Sequence, residues 1–193
     1  MTTAIGPHRP LTAPTLTDDQ TALLRLRAAG HTRARISRTL HTCDSQITKH
    51  LNAVQTALGA DSRAQMIAFG LLHGILNPGQ VITRQVAQPI CLTPRQRQVL
   101  AVYAGGGNDQ DAAASMGISP STVREYARAL LRTLGARDRA HAVGLALVYE
   151  VLLLSELDPD LPPVTLAEHT KTRGPAAAAD SPSRSRTGVR TIG

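Results

Sequence analysis

The chain has 193 residues, enough for one ordinary domain or two small ones, and carries a formal net charge of +7 with a pI near 10.4. That balance makes a polyanion the natural partner and argues against an acidic surface. Aromatic residues are 2% of the chain and Trp is absent, so a core has to be built from Leu, Ala, Val and Ile. Straight-chain side chains lose little rotamer freedom in a helix, and an all-α protein is expected.

Residues 1–15 form an expected flexible arm without an apolar stretch after a basic start, so no secretory signal is expected. No apolar run is long enough for a membrane span, and a cytoplasmic, nucleoid-associated protein is expected.

From Leu16 the chain begins a segment that it later repeats without a gap, Leu16 to Leu76 matching Leu92 to Leu152 at an offset of 76 residues. Leu16-Thr17 falls on Leu92-Thr93, Leu24 on Leu100, Ala28 on Ala104 and Gly30 on Gly106. Further along, Leu58-Gly59-Ala60 falls on Leu134-Gly135-Ala136 and Arg63-Ala64 on Arg139-Ala140. Seven Lys and Arg against four Asp and Glu in residues 16–76, and seven against five in residues 92–152, leave both copies free to face a polyanion.

Each copy reads as four short helices, and two tandem helix-turn-helix domains are expected. In the first, residues 16–76, the spacing of Ile47, Leu51, Val54 and Leu58 puts them on one buried face of a third helix. Ser45, Thr48, Lys49 and Asn52 are left pointing outward. Residues 77–91 link the copies. In the second copy, residues 92–156, Thr93 caps a helix that stops at Gly105-Gly106-Gly107, and Asn108 caps a second helix ending at Met116-Gly117. Ser119 as cap and Pro120 at the first helical position then start a third helix, completing the helix, tight turn and helix that can enter a major groove. Val123, Ala127, Leu130 and Leu134 form its buried face, and Ser121, Thr122, Arg124, Glu125, Arg128 and Arg132 are the side chains expected to reach bases and phosphates. Residues 157–193, rich in Pro, Ala, Ser, Thr and Arg, read as a disordered tail.

The fourth helices are expected over Arg63 to Leu76 and Arg139 to Leu154. The second of these is apolar around most of its circumference, so part of it should be exposed in a lone domain. Val143, Leu147, Val151 and Leu154 are the expected dimerisation residues. A homodimer is expected, with pairing of the two copies inside one chain as the alternative arrangement.

Cys43 and Cys91 follow no metal spacing, and His31, His41, Cys43 and His50 fit no short structural zinc pattern. No nucleophile motif or phosphate-cradling loop occurs, since Gly105 to Gly107 lack the lysine and follow a helix. Neither an enzyme nor a metal or other cofactor is expected.

Leu92-Thr93, Arg95, Val99-Leu100, the glycine run, Ile118-Ser119, Thr122-Val123, Leu134-Gly135 and Arg139-Ala140 resemble the LuxR/GerE family of helix-turn-helix regulators over nearly the whole second copy. The first copy resembles it through Leu16-Thr17, Leu24, Gly30, Ile47, His50-Leu51, Leu58-Gly59 and Arg63-Ala64. Where that family usually has Thr-Val-Lys-x-His, the chain has Gln46-Ile47-Thr48-Lys49-His50 and Thr122-Val123-Arg124-Glu125-Tyr126. His41 replaces Gly117 at a turn that favours positive φ, and Cys43 replaces the capping Ser119, leaving Asp44 or Thr42 to cap.

The resemblance implies a sequence-specific double-stranded DNA-binding transcriptional regulator that dimerises through its fourth helix. The alternative is a protein-interaction regulator, such as an anti-activator, co-repressor or RNA-polymerase adaptor. Such domains usually follow a receiver or ligand-binding domain. Neither is recognised here, so control by expression level, a partner protein or an unrecognised ligand is expected.

Overall fold

The computed structural model describes residues 14–82, 90–158 and 160–173. Among these there are ten α-helices and no strand: α1 (Asp18–Ala28), α2 (Arg33–Leu40), α3 (Asp44–Ala57), α4 (Arg63–Leu72), α5 (Pro78–Val81), α6 (Pro94–Ala104), α7 (Asp109–Met116), α8 (Pro120–Leu134), α9 (Arg139–Val148) and α10 (Leu166–Arg173). The helices α1 to α4 recur as α6 to α9 at the sequence offset of 76.

Local chemistry explains why the boundaries coincide. Thr17 and Thr93 each accept the backbone N–H three residues on, while the side chains of Gln20 and Gln96 accept the threonine N–H, a capping box at both starts. Gly30 and Gly106 then turn the chain at positive φ. The fourth helices are shorter than the apolar pattern suggests. Gly74 and its counterpart Glu150 both adopt positive φ just past the helix end, and the N–H of Leu76 and of Leu152 returns to the carbonyl of Gly70 and of Ala146. Leu154 therefore belongs to a separate 3-10 turn, Leu154–Glu156, instead of to α9.

The two repeats share one core, and their contacts are reciprocal. α4 packs along α9, α1 touches α9, and α6 touches α4, the pattern expected of a two-fold related pair. Met66, Ile67, Ala68 and Phe69 of α4 meet a helix in which every residue from Ala140 to Leu147 is buried. Gly144 allows the close approach: a Cβ there would lie 3.0 Å from both Ile67 Cγ2 and Val81 Cγ1.

The start of the linker belongs to this junction as well. Val81, fully buried on α5, presents its carbonyl to His141.

His141 joins three elements of the junction. Its Nδ1 accepts the Arg137 backbone N–H (3.2 Å), so Nε2 carries the proton and donates to the Val81 carbonyl (3.1 Å). A Cβ on Gly30 would lie 2.5 Å from Nδ1, which is why glycine is needed there beyond its φ. Burial holds the imidazole below the usual histidine value of 6.5; the Val81 carbonyl and Asp138 oppose that shift, and Arg137 and Arg27 add to it.

Above about pH 6.5 both states are neutral, and below it the unfolded chain takes up a proton that the folded chain resists. Stability should therefore be full above pH 6.5 and fall as pH drops toward the lowered folded value. Urea midpoints at pH 7.5 and 5.5 should show this fall, and His141→Gln, which installs the residue of the matching position Gln65, should remove most of it. An equal fall in the variant would assign the effect elsewhere.

The tail does not begin at residue 157. Leu157 and Leu166 are buried, the Leu154 N–H donates to the Val164 carbonyl, and α10 packs on α4 and α9. Residues 174–193 lie outside the described residues, as do residues 1–13 of the arm. No described helix is long and apolar enough to cross a membrane.

Candidate nucleic-acid interface

In the second repeat the turn between α7 and α8 is set by Gly117, left-handed at φ 64, and by the Ile118 N–H returning to Ala113. Ser119 Oγ accepts the Thr122 N–H (3.2 Å) and bonds the hydroxyls of Ser121 and Thr122, which holds three hydroxyl groups at the start of α8. Val123, Ala127, Leu130 and Leu134 bury one side of this helix against α6 and α7. Its other side leaves Ser121, Arg124, Glu125, Arg128 and Arg132 exposed and Thr122 half-buried. Arg124 Nε donates to the Pro120 carbonyl, steadying the guanidinium over the first turn.

The first repeat reaches a similar geometry with different means. His41 takes the left-handed conformation (φ 48) that Gly117 takes in the second, at the steric cost a Cβ imposes there. Cys43 stands at the cap of α3 with no side-chain capping bond, and neither Asp44 nor Thr42 replaces it. Its thiol contacts Ser45 Oγ, and that hydroxyl above all holds it below the usual thiol value. Ile47, Leu51 and Val54 are buried, Ser45, Lys49 and Asn52 are exposed and Thr48 is half-buried. Thr48 Oγ1 accepts from Arg33 Nη1 (3.0 Å), and Asn52 Oδ1 accepts from Arg63 Nη2 (2.6 Å). Arg33 and Arg63 were not apparent as neighbours of α3 from spacing along one helix. The only sequence signal is that the counterpart of Arg33 is Asp109.

The expected dimerisation residues are placed otherwise than expected. Val143, Leu147 and Leu154 are fully buried within the single chain, and Val151 is half-buried. The surplus apolar surface of α9 is covered by α4, α5 and the C-terminal segment, so it is not exposed in the single chain. Among the described residues no three His, Cys, Asp or Glu side chains gather to hold a metal ion.

A family model for bacterial regulatory proteins of the luxR family matches residues 91–146. The transcriptional activator RamA of Corynebacterium glutamicum is 40% identical over 62 residues, 32% of this chain and 22% of RamA. The probable transcriptional regulatory protein NarL of Mycobacterium tuberculosis is 35% identical over 112 residues, 56% of this chain and 48% of NarL. The chain thus spans about a fifth and about half of these relatives. No solved structure gives a significant match. Residues 91–146, which take in α6 to α8 and most of α9, are a helix-turn-helix DNA-binding domain of the luxR family of bacterial regulatory proteins.

Proposed function

We propose that the chain is a sequence-specific double-stranded DNA-binding transcriptional regulator in which both repeats are helix-turn-helix domains facing the duplex with their third helices. The observation that carries this reading is the exposed face of α8, where Arg124, Arg128 and Arg132 stand beside Ser121 and Glu125 within the matched domain. Arginine offers a bidentate fork to guanine edges or phosphates, and glutamate can accept from cytosine N4. The matched family is one of regulators and not of enzymes. The reciprocal packing of α4 and α9 supports a pseudo-dimer made within one chain, with α3 and α8 serving two half-sites. Because the two helices present different side chains, the target should be an imperfect palindrome.

Binding of a labelled promoter fragment in excess competitor DNA tests the reading. Affinity should fall with salt at a log-log slope of roughly −4 to −8, the counterion release of several phosphate contacts. A flat response, or no shift on genomic DNA at low salt, would instead support a regulator that binds protein partners such as RNA polymerase.

A further inference from the structure

The repeat gives each residue of one half a counterpart in the other, and where the first, second and fourth helices of each repeat meet the counterparts differ in net charge. In the second repeat Tyr103, Asp109 and Arg139 compensate one another. The Tyr103 hydroxyl donates to Asp109 Oδ1 (2.5 Å), Arg139 Nη2 pairs with Asp109 Oδ2 (2.6 Å), and the guanidinium lies 4.8 Å from the centre of the Tyr103 ring. The residues 76 positions earlier are Arg27, Arg33 and Arg63. Three guanidiniums stand where the other copy has one guanidinium, one carboxylate and one phenol.

Only Arg27 finds a carboxylate, Asp138 of the second repeat (3.0 Å); among the described residues Arg33 and Arg63 are in no ion pair. Both turn to α3 instead and bond Thr48 and Asn52, the counterparts of Arg124 and Arg128. The positive charge that the second repeat carries on α8 is thus delivered to the same two positions of α3 from the first residues of α2 and α4.

Their placement is unfavourable for the free protein. A cation in the first turn opposes the helix dipole, and partial burial together with Arg27 and Arg33 pushes the pKa of Arg63 down. Arg63 Nη1 is also buried without a hydrogen-bond partner. An anion beside the two guanidiniums would relieve the first two conditions, and the groups sit beside the exposed face of a helix read as facing DNA. Thr48 and Asn52 are meanwhile engaged by the arginines, which diverts them from base edges.

We propose that Arg33 and Arg63 are ligands for backbone phosphates of duplex DNA, so that the first repeat clamps the duplex and base reading falls mainly to Arg124 and Arg128. This rests on the DNA-binding reading above.

Salt titration of the full chain on the selected site and on an unrelated duplex tests it. Arg33→Gln with Arg63→Gln should lower the slope by about 2, since each phosphate contact contributes about 0.9. Affinity should fall by the same factor on both duplexes, with the selected sequence unchanged. Arg33→Lys with Arg63→Lys should keep most of the slope. The glutamine pair should melt no lower than the unsubstituted chain, because it removes mutual repulsion. Arg33→Gln alone, at an exposed side chain, should lower the slope by about 1 and settles the matter if the pair does not fold. An unchanged slope in the glutamine variants, while the unsubstituted chain binds, overturns this proposal alone. A change of preference at single base positions overturns it too, by making these residues base readers. No binding by the unsubstituted chain overturns the DNA reading along with it.

Discussion

Leu147→Glu should unfold both repeats together instead of converting a dimer into monomers. Leu147 is fully buried where α9 packs on α4, so the substitution removes a core side chain and places an acid among apolar groups. Lost packing costs about 2–5 kcal/mol, and an unpaired buried polar group adds about 1–3 kcal/mol. Together these approach the whole stability of a small domain, roughly 5–15 kcal/mol. Sedimentation of the unsubstituted chain at micromolar concentration should give a mass near 20.5 kDa. Thermal unfolding should show one transition, because α4 and α9 belong to one core, and Leu147→Met should shift it little. A variant that stays folded while a larger species dissociates would restore the homodimer and place Leu147 on an exposed face.

Much of the fold is legible where local chemistry decides it. The threonine caps, the glutamines three residues on and the glycines after the first helices fix matching starts and stops in both repeats, as the gapless offset implies. The buried stripe of α8 is likewise set by spacing alone. Long-range choices are less visible. The apolar circumference of α9 requires a cover, but nothing in its own sequence distinguishes α4 of the same chain from α9 of another. Leu157 and Leu166 are isolated among Pro, Asp and Thr, so composition suggests a tail, whereas in the fold they close over α4 and α9.

The candidate site divides in the same way. Arg124, Arg128 and Arg132 follow from the helical period, since what is not on the buried face of α8 must be on the exposed one. Arg33 and Arg63 belong to other helices, and only tertiary packing brings them to Thr48 and Asn52. A comparison of charge at matching positions reveals Arg33, whose counterpart Asp109 is paired with Arg139, but not Arg63, which stands opposite an arginine.

Arg124→Ala and Arg128→Ala should together abolish recognition of the selected site while leaving weak, salt-sensitive binding to any duplex. Each arginine that reads a base edge is worth about 1–3 kcal/mol of discrimination. The two lie four residues apart on one exposed face, so they are neighbours and their losses need not add. Arg124 is steadied by its bond to the Pro120 carbonyl, which limits the entropy lost on binding. Both side chains are exposed and neither is in an ion pair among the described residues, so the fold should survive their removal. Selection from random DNA should then return sites with preference relaxed at the positions these residues read, and the remaining affinity should come from phosphate contacts. If the double variant keeps its affinity for the selected site, α8 does not enter the groove by this face and the assignment of the interface fails.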